Sequence, residues 1–269
     1  MSAISSAPIG IFDSGIGGLT VARAVKSQLP NERIIYFGDT AHLPYGDKST
    51  AAIQAYSIKI TQLLLEKGCK LILIACNSAS AAGYDLVTEY VGKRAKVINV
   101  IDPVIDYLRE HFAGKKVGLI GTKQTINSEV YKNKVESLQQ GITLKSLATP
   151  LLVPMIEEGF INGEISGKII DKYLGDPGLQ QLEALILGCT HYPLIKSAIS
   201  KYYQDSVEVI DSSEIVAKAL DSYLGYNNLY NRSTSATDQF LVSDFTDSFE
   251  ASTRMFFGTS IHLELCRIN

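Results

Sequence analysis

Ala184-Leu-Ile-Leu-Gly188-Cys189-Thr190-His191-Tyr-Pro193-Leu-Ile195 changes character in its middle. An unbroken apolar run of strand length stops at Gly188-Cys189, and Pro193 then opens a helical pattern. The cysteine therefore falls at the carboxyl end of a buried strand, beside a helix N-terminus. Open α/β sheets bind ligands at that point, and a helix N-terminus draws a thiol toward thiolate. Leu71-Ile-Leu-Ile-Ala75-Cys76-Asn77-Ser78-Ala-Ser-Ala-Ala82 is built in the same way. With two such cysteines, each followed by polar residues able to hold a ligand, the rest of the chain reads as their scaffold.

Outward from these stretches, strands alternate with helices. Ile9–Phe12 is a strand ending in Asp13-Ser14-Gly15-Ile-Gly17-Gly18, and Leu19–Leu29 is an amphipathic helix stopped by Pro30. Arg33–Phe37 is the next strand, followed by the loop Leu43-Pro44-Tyr45-Gly46-Asp47 and a helix over Thr50–Lys67. The helix after Cys76 runs to about Val91, and a strand over Lys96–Ile101 ends at Asp102-Pro103. The pattern then restarts, with strands over Lys116–Ile120 and Ile142–Leu147 and one helix between them to about Gln139. A mostly helical region, Pro154–Leu174, precedes the Cys189 strand, and Val207–Ile210 closes in Asp211. Tyr226–Asp238 reads as a polar loop, before a strand at Phe240–Val242 and a helix over Phe249–Phe257.

The strand ends repeat. Asp13 and Thr122, Thr40 and Thr149, and Asp102 and Asp211 each stand 109 residues apart, and Cys76 and Cys189 stand 113 apart. A near-constant offset at four strand ends points to an internal duplication. Alternating strands and helices with right-handed crossovers give parallel sheets. The expected fold is thus α/β, with two similar parallel-sheet domains related by a pseudo-twofold axis and the site in the cleft between them. The expected boundaries are 1–100 with 212–269 for a discontinuous first domain, and 101–211 for the second.

Composition narrows the function. The 269 residues are 46% hydrophobic and 20% charged with a net charge of −3, a globular composition without the basic patch of a nucleic-acid binder. No apolar run approaches the roughly 20 residues needed to span a bilayer. The polar start, Met1–Pro8, lacks the features of a signal peptide. A cytoplasmic protein is expected, and its cysteines at 69, 76, 189 and 266 are read as thiols. There is no C-x-x-C pair, and Cys189 with His191 alone makes a poor metal site, so no metal is expected.

Two equivalent acid/base groups facing one ligand suit a reaction that is itself symmetric. Stereoinversion at a carbon acid is one: a base takes a proton from one face and an acid returns one to the other. A thiol with an ordinary pKa near 8.5 serves either role after modest tuning.

The motifs Gly10-Ile-Phe-Asp13-Ser14-Gly15-Ile-Gly-Gly18-Leu, Tyr36-Phe-Gly-Asp39-Thr40-Ala-His-Leu-Pro44-Tyr45-Gly46, Ala75-Cys76-Asn77-Ser78-Ala, Ile120-Gly121-Thr122 and Leu187-Gly188-Cys189-Thr190-His191-Tyr-Pro193-Leu span almost the whole chain in order. Together they resemble those of the bacterial glutamate racemases, within the aspartate/glutamate racemase group. The resemblance implies cofactor-independent interconversion of L- and D-glutamate, supplying D-glutamate for peptidoglycan, in a homodimer whose arrangement the chain does not reveal. It implies that Cys76 is the base acting on D-glutamate and Cys189 the base acting on L-glutamate. Asp13 and His191 match the groups that tune the two thiols, with Glu157 a weaker third. Ser14, Tyr45, Gly46, Asn77, Ser78, Thr190 and His191, with Asp13, match the substrate-holding positions, and Thr122 joins them through the duplication. Ser78 stands where the family usually has threonine, which keeps the hydroxyl and removes a methyl. The N-terminus lacks the extension by which some members bind a cell-wall precursor as activator, so no such control is expected.

Other readings remain open on the residues alone. Asp13-Ser14-Gly15-x-Gly17 with Asp39 resembles a dinucleotide loop, although Thr20 stands where the third glycine belongs. A cysteine-nucleophile enzyme would need only one of the two thiols. In a non-enzymatic amino-acid-binding protein both thiols would be incidental. Aspartate is the competing substrate, a difference of one methylene.

Overall fold

The computed structural model describes residues 5–232 and 237–268. Met1–Ile4, and residues 233–236 of the expected polar loop, lie outside that range. The first half of the chain runs β1 (Ile9–Asp13), α1 (Leu19–Gln28), β2 (Ile34–Gly38), α2 (Thr50–Glu66), β3 (Leu71–Ile74), α3 (Asn77–Val91), β4 (Lys96–Asn99) and α4 (Asp102–His111). Two 3-10 turns, Thr40–His42 and Tyr45–Asp47, stand between β2 and α2. The second half runs β5 (Lys116–Gly121), α5 (Lys123–Asn127), α6 (Val130–Ser137), β6 (Thr143–Ala148), α7 (Leu152–Glu157), α8 (Glu164–Leu174), β7 (Ala184–Gly188), α9 (Lys196–Tyr202) and β8 (Glu208–Asp211). The chain closes with α10 (Ser212–Tyr226), β9 (Gln239–Val242), α11 (Asp247–Phe257) and β10 (Glu264–Leu265).

The strands form two parallel sheets, ordered β10-β9-β2-β1-β3-β4 and β6-β5-β7-β8. The inner order of the first, β2-β1-β3-β4, is that of the second, so the offset at the strand ends reflects two similar α/β domains. Register carries the equivalence into detail. Ile9 of β1 lies between Ile34 and Leu71, as Val117 of β5 lies between Leu144 and Ala184. Strands β1, β2, β3 and β7 are buried along their whole length, which is why they read as continuous apolar runs rather than alternating ones. Edge strand β6 has no fully buried residue and reads as mixed.

One apolar core runs through both sheets. Ile9, Ile11 and Leu19 join Leu185, Leu187 and Leu152 in it, and Val216 and Leu220 of α10 close it. Each such side chain contributes about 1.5–3 kcal/mol on burial. Outer cores flank it: Ile53, Ile60 and Leu64 of α2 cover Ile72 and Ile74, and Val104 and Leu108 of α4 cover Val117 and Ile186. Helix α4 follows a strand of the first sheet yet packs on the second, so the chain crosses over at Val100-Ile101.

Several expected elements are corrected. The strand expected over Lys96–Ile101 stops at Asn99, whose Oδ1 accepts from the backbone N–H groups of Ile101 and Asp102 and turns the chain into α4. Asp102-Pro103 is therefore a helix start, with proline in the first turn where its missing N–H is harmless. The single helix expected after Thr122 is two, broken at Glu129, whose φ of 54° is left-handed. The helical region Pro154–Leu174 is likewise two helices, separated at Gly159 and Gly163. Helix α10 extends to Tyr226, taking up the start of the expected loop.

Candidate active site

The carboxyl ends of the two sheets meet at one cavity of about 220 Å³. Ser14, Tyr45, Gly46, Cys76, Asn77 and Ser78 line it from the first half, and Thr122, Glu157, Cys189, Thr190 and His191 from the second. Asp13 does not line it. Its side chain lies wholly buried behind Ser14, with one oxygen accepting from the Gly15 N–H at 3.0 Å and the other lacking any partner among the described residues.

Each sulfur has its own surroundings. Cys76 caps α3 in extended backbone conformation (φ −77°, ψ 125°), and its Sγ accepts from the Ala79 N–H at 3.4 Å. The thiol donates to Ser14 Oγ at 3.7 Å. Burial first, then the nearby Asp13 carboxylate, pushes this thiol up to about 12. Burial also raises the Asp13 carboxyl, while the charge of His191 and the backbone N–H groups of Gly18, Gly15 and Ser14 pull against it. The other sulfur, Cys189 Sγ, lies 3.7 Å from His191 Nδ1, and His191 Nε2 lies 3.0 Å from Glu157 Oε1. Burial alone would push the imidazolium down, but its hydrogen bonds to Cys189 and Glu157 and their charges prevail, so His191 is pushed up to about 10. At neutral pH one sulfur is a thiol beside a buried carboxyl group and the other faces an imidazolium. Phe256 of α11 packs edge-on against that imidazole, 5.2 Å between ring centres.

The two halves meet without clearance. A Cβ on Gly17 would lie 2.4 Å from His191 Cε1 and 2.7 Å from Thr190 Oγ1, so the β1 loop can rest on the β7 loop only as glycine. Thr20 Oγ1 donates to the Thr190 carbonyl at 2.9 Å across the same seam. On the opposite wall a Cβ on Gly46 would lie 2.9 Å from Thr122 Cβ, and the hydroxyls of Ser78 and Thr122 lie 2.8 Å apart. Lys123 pairs with Asp47 at 3.2 Å, and Gln124 Nε2 donates to Thr50 Oγ1 at 3.1 Å, tying the rim of the cavity.

Several supports of the site are not readable from the sequence. Tyr45 OH donates to Asp39 Oδ2 at 2.6 Å, Ser243 Oγ donates to Asp39 Oδ1 at 2.7 Å, and His42 Nδ1 lies 2.8 Å from Asp39 Oδ1. The Asp39 carboxylate thus braces the Tyr45 loop and offers nothing to a ribose, which removes the dinucleotide reading of that residue. His42, given no role from the sequence, also stacks on Tyr56 at 4.1 Å. Tyr131 of α6 donates to Asn77 Oδ1 at 2.8 Å. Glu157, the weaker third of the tuning candidates, reaches His191. Thr149, named from the sequence only as a strand end, also lines the cavity, whereas Thr40 at the matching strand end hydrogen-bonds Asp244. All four cysteines are free, as read from the sequence; Cys69 is buried in an outer core, whereas Cys266 is only half-buried. Among the described residues no group of three or more His, Cys, Asp or Glu side chains is placed to hold a metal ion, and no helix is long and apolar enough to cross a membrane.

Two similar parallel-sheet domains presenting an acid/base-equipped thiol each to one cavity define a two-domain isomerase scaffold. The model of the Asp/Glu/Hydantoin racemase family matches residues 19–220. A glutamate racemase from Chlorobaculum parvum is 38% identical over 96% of this chain and 94% of its own length. The structure of a Francisella tularensis glutamate racemase in complex with D-glutamate is 40% identical, with a TM-score of 0.92 over 98% of this chain and 99% of that one. That of a glutamate racemase isoform from Bacillus anthracis is 30% identical, also with a TM-score of 0.92, over 98% of each chain. The chain belongs to the Asp/Glu/Hydantoin racemase family and is an isomerase.

Proposed function

We propose that this protein interconverts L- and D-glutamate by two-base proton transfer without a cofactor, supplying D-glutamate for peptidoglycan. The observation that carries the reading is that both thiols line one cavity and each has its own proton-holding partner, Asp13 beside Cys76 and His191 with Glu157 beside Cys189. The substrate assignment rests on the relatives, which are glutamate racemases along nearly their whole length.

In the L-to-D direction Cys189, as thiolate, takes the Cα proton, and the Cys76 thiol gives its proton to the opposite face. One C–H bond breaks and one forms, one S–H forms and one breaks, and no electrons leave the system. The imidazolium of His191 stands 3.7 Å from the Cys189 sulfur, and burial of Cys76 together with the charge of Asp13 keeps the proton on the Cys76 thiol. The reverse reaction starts from the Cys76 thiolate. Ser14, Tyr45, Gly46, Asn77, Ser78, Thr190 and His191 hold the substrate, with Thr122 beside Ser78.

Sheet membership supports the boundaries 1–100 with 212–269 and 101–211, since β9 and β10 rejoin the first sheet. A cytoplasmic location fits four free thiols, and a homodimer, testable by sedimentation, is part of the same reading. The deciding assay is the optical activity of L-glutamate incubated with purified protein and no cofactor. Decay to zero is expected, with L-aspartate unchanged; constant rotation of glutamate would refute the proposal.

A further inference from the structure

Asn77 opens α3 and lines the cavity, with 2% of its surface exposed. Its two amide ends are treated differently. Oδ1 accepts from Tyr131 OH at 2.8 Å, whereas Nδ2 is buried with no partner among the described residues. Tyr131 comes from α6 in the other half, is 1% exposed, and makes no other hydrogen bond among the described residues. Burial, followed by the charge of Asp102, pushes its phenol further up, so the hydroxyl keeps its proton.

This pairing selects one orientation of the amide. Were the amide reversed, Nδ2 would donate to the phenolic oxygen and the Tyr131 proton would have no acceptor. A buried donor without an acceptor is unfavourable, so the carbonyl end faces Tyr131. The amide's NH2 end is then left for whatever occupies the cavity. It needs an acceptor, which an ammonium group cannot be and a carboxylate is. The N-terminus of the 15-residue helix α3 favours the same charge.

We infer that Tyr131 is a positioning residue for the substrate, holding the Asn77 amide so that its NH2 end receives a substrate carboxylate. This rests on the proposed racemase reading. Removing the Tyr131 hydroxyl frees the amide to turn its carbonyl toward that carboxylate, which weakens binding and leaves the two thiols untouched.

KM and kcat for glutamate, in both directions, in wild type, Tyr131→Phe, Asn77→Ala and the double variant test the inference. Tyr131→Phe is expected to raise KM about tenfold while kcat changes less than about twofold. In the Asn77→Ala background the same change is expected to add nothing, because Tyr131 acts through that amide. An unchanged KM in Tyr131→Phe, or KM effects that multiply in the double variant, would overturn the assignment. Asn77→Asp gives a check that keeps the tyrosine. With one oxygen held by Tyr131 the other faces the substrate carboxylate, so KM at neutral pH should exceed that of Asn77→Ala, and equal values would also overturn it. Absence of racemisation in the wild type would instead remove the functional reading, which separates the two failures.

Discussion

His191 links three groups: its ring meets Cys189 on one side, Glu157 on the other and Phe256 on its edge. Its pKa is raised from the ordinary 6.5 to about 10 on folding. A raised histidine contributes stability that is fully present below the unfolded-state value and is lost as pH climbs through the folded one. Unfolding free energy should therefore fall between about pH 6.5 and 10 through this residue, and His191→Gln should remove that part of the slope. Urea titrations across the interval measure it; an identical pH dependence in the variant would show that His191 is not held as the cation. The substitution should also slow the L-to-D reaction by about 10²–10⁴-fold, the usual contribution of a positioned acid/base group. Asp13, also buried, keeps one oxygen unpartnered among the described residues, and that burial raises its carboxyl against the pull of the His191 charge.

At the scale of elements, loops after β1 and β7 press together at Gly17. Gly17→Ala would set a methyl group 2.4 Å from the His191 ring. Overpacking of that kind costs about 1–3 kcal/mol; here it also moves the His191 imidazole beside Cys189, so thermal unfolding and kcat should fall together. A variant with wild-type values for both would mean that the seam is slack. This scale also shows what was legible in the sequence. Buried parallel strands announce themselves as apolar runs, and Cys76 and Cys189 could be placed at their ends because a strand cannot continue through the polar residues that follow. Helix α4 was not legible because Asp102-Pro103 ends one pattern and begins another, and only the Asn99 side chain shows which. The break at Glu129 has no glycine to mark it. Tyr131 and Ser243 support Asn77 and Asp39 from 54 and 204 residues away, contacts that periodicity and spacing do not encode.

Across the whole molecule, a buried ion pair fastens the half whose sheet takes in β9 and β10. Just before β3, Lys70 lies 2.7 Å from Glu32 Oε2, both side chains at most 2% exposed, and also donates to the carbonyls of Ser5 and Leu229. The Asn231 N–H donates to Glu32 Oε1 at 2.6 Å. The pair gathers the chain's start, the first sheet and the segment returning to β9. Lys70→Met would leave the Glu32 carboxylate buried and unpaired, a loss of about 3–5 kcal/mol in unfolding free energy by urea titration; a loss below about 1 kcal/mol would show that the fastening is dispensable.

The central claim, that two thiols act on opposite faces of one substrate, is tested most directly by single removals. Wild type, Cys76→Ala and Cys189→Ala would each be incubated with L- and with D-glutamate in D2O, following Cα deuterium and optical rotation. Wild type should incorporate deuterium and lose rotation from either enantiomer, and each variant should fail to racemise. Racemisation that survives with either cysteine removed would contradict the two-base account.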